Sequence, residues 1–512
     1  FRRLAAFGMA AALGAGAAQA QDAVPQKNDP WYQDGQARLQ EALQNQPNTN
    51  PAKNVIIFIA DGMGVSSVTA ARIWQGQQAG NTGEENFLSW EKFPNVAMVK
   101  TYNTNQQVAD SAGTATAWLT GVKAQAGMIS GDSTVKRGDC DSMKGHEART
   151  LLQLGELAGL ATGTISTARL THATPASSYA HAPDRDFEDD TKLEKAIWKG
   201  AGCKDIASQL IEFEYGDGIE VAMGGGRRHF IPKEMADPED APKTGGRGDG
   251  RDLTKEWLQK YDNKGAAYVW NTEQFNAIDV ANTNALLGLF DRSHMEYEAD
   301  RDKDRSGEPS LAEMTAKSIE ILSKNTNGYI LQVEGGRVDH ANHATNAARM
   351  LADAVAVSDA VEVAMKMVNL EETLIIVTAD HSHVLTISGY PQRGNPILGL
   401  IKSTDKKGGG PLDELALGDD GKPYTTLSYT NGSGAWEDGT PRPDLSGVDT
   451  TDVDYIQQTM VPRKSETHAG EDVALWAQGP GAWLFQGTIE QNYIYHVIDH
   501  ALSLTKRAGG GS

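Results

Sequence analysis

Almost wholly apolar segments of strand length recur along the chain, and each is followed by polar residues and a helical pattern. The clearest are residues 54–60, 329–333 and 373–379. A strand that is apolar along its whole length is typical of a parallel sheet with helices on both faces, because a strand with one face in water alternates apolar and polar residues. The repeated order of strand and helix predicts an α/β fold with a doubly wound, mostly parallel central sheet and helices on both faces.

Residues 389–462 break this alternation. Their composition shifts to Gly, Pro and Asp, with short β-rich pieces such as Y-T-T-L-S-Y. We interpret this segment as a β-rich, crown-like insertion on the rim of the sheet. A length of 512 residues allows two or three domains. A single large α/β domain over residues 21–512 that contains this insertion fits equally well.

Residues 1–20 have the pattern of a secretory signal. Two arginines near the start precede an apolar run, and the sequence A-Q-A forms a small-residue cleavage site. The apolar run is too short to span a bilayer, and no later segment is apolar enough to do so. We therefore expect a mature protein that begins near Gln21, lies in the periplasm or outside the cell, and has no membrane partner.

The chain carries an excess of acidic residues. Its formal net charge is −21, and loss of Arg2 and Arg3 with the signal segment would make it −23. Such a surface repels nucleic acid, so we expect no nucleic acid as a specific partner. Because the surface also repels anionic substrates, any phosphate site has to be positive locally.

Cys140 and Cys203 are the two cysteines of the sequence. They lack the C-x-x-C spacing of a redox or zinc motif. In an exported chain, two cysteines favour a disulfide over two free thiols.

The segment V-A-D-S-A-G-T-A-T-A-W-L-T-G, which begins at Val108, predicts a helix that starts at Ser111. The free N–H groups and the positive dipole end at a helix N-terminus form an anion site. A serine in this position is most often only a helix cap. Its interpretation as a nucleophile therefore depends on whether other reactive residues converge on it.

An acidic residue comes directly after each of the three apolar segments, at the strand end where open α/β sheets bind their ligands. Asp339 and His343 are four residues apart, so a helix would place them on one face, where they can share a metal. Carboxylates with imidazole suit zinc, and carboxylates with a hydroxyl suit magnesium. The candidate site residues are Asp61, Ser111, Thr174, Glu334, Asp339, His343, Asp380, His381 and His468.

Six motifs, in this order, resemble the alkaline phosphatase family over nearly the whole chain. They are D-G-M-G from Asp61, D-S-A-G-T-A-T-A from Asp110, H-A-T-P-A from His172, V-E-G-G-R-V-D-H-A-N-H from Val333, T-A-D-H-S-H from Thr378 and E-T-H-A-G-E-D-V-A from Glu466. The third and fourth resemble the animal enzymes and their bacterial relatives more than the enteric bacterial type, which has Asp and Lys where this chain has His172 and His340. The resemblance implies hydrolysis of small phosphate monoesters.

The resemblance also implies a site for two zinc ions and one magnesium ion, in which Ser111 attacks phosphorus and becomes a phosphoserine intermediate. Arg185 would bind two phosphoryl oxygens, and His172 and His340 would lie beside the magnesium. An ordinary surface arginine is the alternative for Arg185. The implied ligands are Asp339, His343 and His468 for the first zinc, Asp61, Asp380 and His381 for the second, and Asp61, Thr174 and Glu334 for magnesium.

Three further properties are implied by the resemblance. Cys140 and Cys203 match the positions of a disulfide in the animal enzymes. Family members are usually homodimers with the rim insertion near the interface, so we expect a homodimer. A calcium site of the animal enzymes is also matched, although ordinary acidic residues in a solvated loop are an equal alternative. The matching residues are Glu239, Phe290 (through its carbonyl), Asp291 and Glu308.

Three other functions fit fewer of these residues. A phosphodiesterase or nucleotide pyrophosphatase of the same superfamily tends to use a threonine nucleophile and lacks the carboxylate of the third metal, so Ser111 and Glu334 count against it. A sulfatase would need C-x-P-x-R or its serine equivalent, which is absent around Ser111. A binding protein without turnover would not need an intact nucleophile, arginine and set of metal ligands.

Overall fold

The computed structural model describes residues 24–193, 202–407, 409–436 and 439–509. The predicted signal segment, residues 1–20, lies outside them. The chain divides into two compact units, with the boundary between Gln46 and Pro47. In the described part of the first unit, an α-helix begins after Asp29, and the carboxylate of Asp29 caps it by accepting hydrogen bonds from the first helical turn.

Helices and strands are numbered separately in chain order. The helices are α1 (Pro30–Gln44), α2 (Val65–Gln78), α3 (Ser111–Thr120), α4 (Cys140–Met143), α5 (Leu151–Leu157), α6 (Ala173–Ala176), α7 (Asp190–Leu193), α8 (Ile206–Ile211), α9 (Leu253–Lys260), α10 (Thr272–Asn276), α11 (Leu311–Leu322), α12 (Arg337–His343), α13 (Ala347–Met367), α14 (Tyr493–Leu502) and α15 (Leu504–Arg507). The strands are β1 (Asn54–Ala60), β2 (Asn95–Lys100), β3 (Ala161–Arg169), β4 (Val221–Gly225), β5 (Ala266–Val269), β6 (Ala285–Leu289), β7 (Tyr329–Gly335), β8 (Thr373–Thr378), β9 (Ser382–His383), β10 (Leu385–Ile387), β11 (Lys402–Thr404), β12 (Pro411–Leu415), β13 (Leu427–Gly432), β14 (Thr459–Pro462), β15 (His468–Ala469), β16 (Val473–Gln478) and β17 (Gly487–Glu490). Among the described residues, no helix combines the length and the apolar character that crossing a membrane requires.

Ten strands of the described chain form the central sheet, in the order β17-β2-β16-β8-β1-β7-β3-β4-β6-β5. The pairs that β16 makes with β8 and with β2 are antiparallel, and the other neighbouring pairs are parallel. In β1, the residues from Val55 to Ala60 are buried. Successive side chains of a strand point to opposite faces, so both faces of β1 are covered. The predicted α/β fold with a doubly wound, mostly parallel sheet is confirmed.

One predicted helix begins later in the structure than expected. The apolar periodicity predicts a helix from His343 to about residue 369, but His343 is the last residue of α12, and the helix that follows, α13, begins at Ala347. Thr345 has a φ of 54°, and the side chain of Asn346 accepts a hydrogen bond from the first turn of α13. Asparagine is more stable as a cap than inside a helix. The apolar periodicity continues across residues 344–346, so it does not indicate that one helix ends and another begins there.

Two small sheets lie in and beside the predicted rim insertion. One contains β10, β13 and β14, and the other contains β11 and β12. β10 ends at Ile387, just before the segment, and the other four strands of these sheets lie within residues 389–462. The segment is therefore β-rich, as predicted.

Cys140 and Cys203 form a disulfide, with their Cα atoms 5.4 Å apart. The predicted pairing is confirmed. The bond closes a loop with a sequence separation of 63 residues. In the chain-entropy description, a cross-link of this span destabilises the unfolded chain by about 4 kcal/mol at 25 °C.

We expect the double variant Cys140→Ser/Cys203→Ser to lower the free energy of unfolding by up to about 4 kcal/mol, because its unfolded chain regains the entropy of the open loop. Urea unfolding followed by tryptophan fluorescence measures the difference against the wild type. An unchanged unfolding midpoint would contradict the contribution assigned to this loop.

Candidate functional site

Three neighbouring parallel strands bring acidic side chains together at their carboxyl ends. β1 lies between β7 and β8, and its residue Ile59 pairs with Glu334 on one side and with Thr378 on the other. Asp61 is the first residue after β1, and Asp380 is the second after β8. The three carboxyl side chains are fully buried. This edge is where open α/β sheets bind their ligands.

The turn after β1 requires glycine. Gly62 has a φ of 71°, and a Cβ at this position would lie 2.4 Å from the ring of His383. The N–H of Gly62 donates a hydrogen bond to Oδ1 of Asp380, at 2.9 Å. The glycine therefore lets the tip of β1 approach the residues that follow β8.

Ser111 is the first residue of α3, as predicted. The cap of this helix is the carboxylate of Asp110, which accepts a hydrogen bond from the N–H of Gly113. Ser111 is 2% exposed, and its Oγ lies 3.2 Å from Nε2 of His381. The serine hydroxyl thus lies at the positive end of the helix but does not cap it.

A first group of donor atoms lies where α12 meets β15. Nε2 of His343 and Nε2 of His468 are 3.1 Å apart, and they lie 3.4 and 3.3 Å from Oδ1 of Asp339. The corners of a zinc tetrahedron are separated by about 3.3 Å, because each ligand is about 2.0 Å from the ion. The other ring nitrogens, Nδ1 of both histidines, lie 2.7 Å from the carbonyl oxygens of Glu466 and Ala109. These contacts orient each Nε2 towards the group.

A second group surrounds Nε2 of His381. This atom lies 3.2 Å from Oδ2 of Asp380 and 3.5 Å from Oδ1 of Asp61. The hydroxyl oxygen of Ser111 is its third neighbour, at 3.2 Å. One imidazole, two carboxylates and the serine hydroxyl therefore face a common point.

A third group consists of oxygen atoms on the other side of Asp61. Both carboxylate oxygens of Asp61, Oε1 of Glu334 and Oγ1 of Thr174 are buried without a hydrogen-bond partner in the described part of the chain. Ser166 donates a hydrogen bond to the remaining oxygen of Glu334. A buried oxygen without a partner costs about 1–3 kcal/mol, so a bound ligand would stabilise this group. Hard oxygen atoms of this kind are the ligands that magnesium prefers.

The electrostatics of the three groups favour bound cations. Burial, and next the carboxylate of Asp380, raise the pKa of Asp61 well above its usual value. Burial also raises the pKa of Glu334 to about 7 and raises that of Asp380. For Asp339 burial raises the pKa, but the histidines around it, His343 first, hold it well below its usual value. Bound divalent cations would offset the negative charge of these buried carboxylates.

Arg185 lies beside the N-terminus of α3. Its Nη1 lies 3.1 Å from Oδ2 of Asp110, and its Nη2 lies 2.9 Å from Nε2 of His172. The side chain is 19% exposed, unlike a solvated surface arginine. The cap residue of the serine helix therefore also holds the guanidinium group.

His172 and His340 lie side by side, with ring centroids 5.4 Å apart. Burial, with Arg185 next, lowers the pKa of His172, and burial lowers the pKa of His340 to about 3, so both rings are neutral at physiological pH. A third ring, His294, lies 4.1 Å from that of His340 and 5.5 Å from that of His172. The sequence analysis missed His294, because it lies outside the six motifs.

One protein family covers most of the chain. The family model described as alkaline phosphatase matches residues 52–504. The chain belongs to the alkaline phosphatase family. It is therefore a metal-dependent phosphomonoesterase, and the predicted resemblance to this family is confirmed.

Animal alkaline phosphatases are similar to the chain over most of its length. The tissue-nonspecific isozyme of Gallus gallus is 45% identical over 486 residues, which cover 93% of this chain and 90% of that protein. The tissue-nonspecific isozyme of Homo sapiens is 44% identical over 497 residues, which cover 95% of this chain and 91% of that protein. The alkaline phosphatase of Gadus morhua is 43% identical over 478 residues, covering 92% and 96%.

Solved bacterial alkaline phosphatases share the fold. The enzyme of the Antarctic bacterium TAB5 aligns with a TM-score of 0.58 at 21% identity, covering 89% of this chain and 99% of that one. The Thermus thermophilus alkaline phosphatase aligns with a TM-score of 0.62 at 24% identity, covering 91% and 95%.

His383 is a residue of the alkaline phosphatase motifs that the sequence analysis did not single out. Its Nε2 lies 2.8 Å from Oδ1 of Asp339, and its Nδ1 lies 2.6 Å from Oε2 of Glu466. Burial lowers its pKa, but the hydrogen bonds to the two carboxylates outweigh this and raise the pKa of His383 to about 10. The spacing H-S-H could have indicated that His383 lies at the site. His381 and His383 are two residues apart, and an extended chain places such residues on the same side.

The residues that match a calcium site also lie near one another. Oε1 of Glu239 and Oε2 of Glu308 are buried without a hydrogen-bond partner in the described residues, and so is Oδ2 of Asp304, which the sequence analysis did not name. Burial, followed by Asp304 and Asp291, raises the pKa of Glu308 to about 9. The remaining oxygen of Glu239 accepts a hydrogen bond from Arg227 at 2.8 Å.

Proposed function

We propose that this protein hydrolyses small phosphate monoesters through a phosphoserine at Ser111, at a site that holds two zinc ions and one magnesium ion. The observation that carries the proposal is the position of the Ser111 hydroxyl, at the N-terminus of α3 and 3.2 Å from Nε2 of His381. A serine that served only as a cap would bond to its own helix, and Asp110 already fills that role.

The donor sets suit these metals. The imidazole and carboxylate atoms of the first two groups have the spacing and chemistry of zinc ligands, and the oxygen atoms of the third suit magnesium. Asp61 would belong to both the second and the third group. The proposed ligands are Asp339, His343 and His468 for one zinc, Asp61, Asp380 and His381 for the other, and Asp61, Thr174 and Glu334 for magnesium.

The chemistry follows from the position of the nucleophile. When bound, the zinc ions supply Lewis acidity, which lowers the pKa of the serine hydroxyl and stabilises negative charge on the leaving oxygen. The Ser111 oxygen forms a bond to phosphorus while the bond from phosphorus to the ester oxygen breaks, and the alcohol departs with a proton. Water then attacks the phosphoserine, which releases inorganic phosphate and restores the serine.

Arg185 and the start of α3 would bind the phosphoryl oxygens. The guanidinium group presents parallel N–H donors, so it can hold two oxygens of one phosphate at once. Its contacts with Asp110 and His172 fix its plane before substrate arrives. The free N–H groups at the start of the helix add donors on the same side.

A paired measurement tests the proposed function. Metal content is determined by mass spectrometry, and rates on 4-nitrophenyl phosphate and bis(4-nitrophenyl) phosphate are measured on the same sample. We expect zinc and magnesium in a ratio of two to one and a strong preference for the monoester. Faster diester hydrolysis would indicate the phosphodiesterase class, and binding of phosphate without turnover would indicate a binding protein.

We expect His383→Ala to weaken zinc binding by about 10–100-fold, because Asp339 loses the hydrogen bond that orients its carboxylate. Competition with a zinc chelator measures the affinity. His496→Ala, at an exposed histidine, is the control and should bind zinc as the wild type does. If His383→Ala retained wild-type zinc affinity, the orienting role would be wrong.

We further propose that Glu239, Asp291, Glu308 and the Phe290 carbonyl bind calcium, and that Asp304 contributes a carboxylate. The support is the set of buried oxygens without partners and the absence of nitrogen or sulfur donors among these ligands.

Glu308→Gln should bind one calcium ion fewer per chain and lose part of the calcium-dependent rise in Tm, because a buried anionic ligand is lost. Calorimetric titration and thermal unfolding measure both effects. Asp302→Asn, an exposed change in the same loop, is the control. Equal calcium binding by Glu308→Gln would favour the alternative of ordinary acidic residues.

We also propose export and dimerisation. The disulfide between Cys140 and Cys203 suits an oxidising compartment such as the periplasm or the cell exterior. The proposed homodimer has the rim insertion near its interface, and light scattering of the mature protein tests it. A monomeric mass would contradict it.

A further inference from the structure

A separate group of carboxylates lies at the opposite edge of the sheet from Ser111. It consists of Glu156, in the last turn of α5, and of Asp217 and Glu220, in the segment that leads into β4. One carboxylate oxygen from each lies within 4.8 Å of the other two. β3 and β4 are parallel and both begin here, so this amino-edge cluster is at the end of the strands remote from the proposed active site.

Hydrogen bonds from the start of β3 fix the two glutamates. Oε1 of Glu156 accepts a bond from the hydroxyl of Thr162 at 2.6 Å, and Oε2 of Glu220 accepts one from the N–H of Thr162 at 2.8 Å. Glu156 is only 3% exposed. A carboxylate so deeply buried is stable as an anion only beside a positive charge.

One of the two lysines nearby, Lys264, pairs directly with the cluster, and its charge also partly offsets the effect of burial, which raises the pKa of Glu220. The ammonium of Lys264 lies 2.6 Å from Oδ2 of Asp217. Lys260 instead donates to the carbonyl oxygens of Ile211 and Phe213. The two glutamates of the amino-edge cluster therefore have no ammonium of their own among these contacts.

The negative charges of the two glutamates repel each other. Burial, and next the charge of Glu220, raise the pKa of Glu156 to about 9. Burial raises the pKa of Glu220 to about 8. In the absence of a cation, the pair is thus stable only when it retains protons.

An independent observation points to a ligand in the same place. Tyr261 is 2% exposed, and its hydroxyl has no hydrogen-bond partner within the described residues. The hydroxyl lies against Gly218, where an added Cβ would come within 2.2 Å of it. Burial, and then the charges of the three carboxylates of the cluster, raise the pKa of Tyr261, while a backbone contact at Ile219 lowers it, so the hydroxyl lies close to the cluster. A buried hydroxyl without a partner is costly unless something binds it.

We propose that the amino-edge cluster binds a hard divalent cation, calcium in preference to magnesium, with the hydroxyl of Tyr261 as a neutral oxygen in the site. All the donors are oxygens, which favours these ions over zinc. Calcium tolerates irregular coordination completed by water, and Asp217 is exposed, so water can reach the site. The cation joins the end of α5 to the segment before β4, and it stabilises the fold without entering catalysis.

Calcium titration of the enzyme loaded with zinc and magnesium tests the proposal. The variant Glu156→Gln/Glu220→Gln removes two charges from the cluster, and Glu214→Gln/Asp262→Asn removes two charges from exposed positions nearby as the matched control. The wild type and the control should bind one calcium ion more per chain than the cluster variant, by mass spectrometry after dialysis. Equal calcium content in all three would overturn the proposal and leave the glutamates as a pair that shares protons.

Tyr261→Phe provides a second test, because it removes one oxygen and leaves the packing of the ring. Calcium affinity at this site should fall by about tenfold, while kcat/KM on 4-nitrophenyl phosphate stays at the wild-type value. Unchanged calcium affinity, or equal affinity of the wild-type site for magnesium, would overturn the proposal. The Glu308→Gln variant, which changes the other candidate calcium position, should retain the calcium ion of the amino-edge cluster.

Discussion

We expect replacement of Ser111 by alanine to lower kcat for 4-nitrophenyl phosphate by about 10³-fold or more, because the proposed covalent step would lose its nucleophile. The zinc and magnesium content should not change much, since the carboxylates and imidazoles around Ser111 remain in place. Steady-state kinetics and metal analysis on the same preparation measure both quantities. The expected result is an inactive protein that still carries its metals.

Two controls accompany this variant. Ser133→Ala, at an exposed serine, should have wild-type kinetics. Labelled phosphate trapped by acid quenching should be found on the peptide that contains Ser111, and the variant should trap none. Label on a different residue would refute the assignment of the nucleophile.

Replacement of Asp61 by asparagine should also abolish most activity, but through loss of metal. One oxygen of Asp61 faces Nε2 of His381 at 3.5 Å, and neither oxygen has a hydrogen-bond partner within the described chain. Asparagine keeps the shape and removes the charge, so the proposed second zinc and the proposed magnesium would both lose a ligand. We expect zinc and magnesium together to fall from about three ions per chain to about one, and kcat/KM to be lower by about 10³-fold or more.

The stability of the metal-free protein gives this prediction a second readout. Burial and neighbouring carboxylates raise the pKa of Asp61, so its negative charge destabilises the fold when no cation is bound. After chelation, Asp61→Asn should therefore unfold at a higher temperature than the wild type, whereas the exposed change Asp419→Asn should have no effect. A lower melting temperature for chelated Asp61→Asn would show that the carboxylate has a structural role without metal.

The fold could be predicted because its strongest signal is local. A parallel strand with both faces covered has to be apolar along its length, so β1, β7 and β8 are visible in the sequence, and an acidic residue follows the apolar run of each. The disulfide and the family were also predictable, from two cysteines and six motifs. The reversed direction of β16 was not, because hydrophobic periodicity carries no information about strand direction.

The break between α12 and α13 shows the limit of such patterns. The apolar periodicity is continuous, but Asn346 caps a new helix and Thr345 turns the chain. Capping depends on one side chain and one pair of backbone angles, which periodicity does not record.

By itself, the sequence determined the fold class, the family and the candidate catalytic and metal-binding residues. Only the tertiary structure decided which of them meet: it brought His383 against Asp339 and Glu466, put Arg185 on the cap of the serine helix, and gathered the amino-edge cluster around Tyr261. The reason is physical. Burial and the charges of neighbours set hydrogen bonding and pKa values, and these neighbours come from strands and loops distant in sequence that only the order of the sheet places side by side.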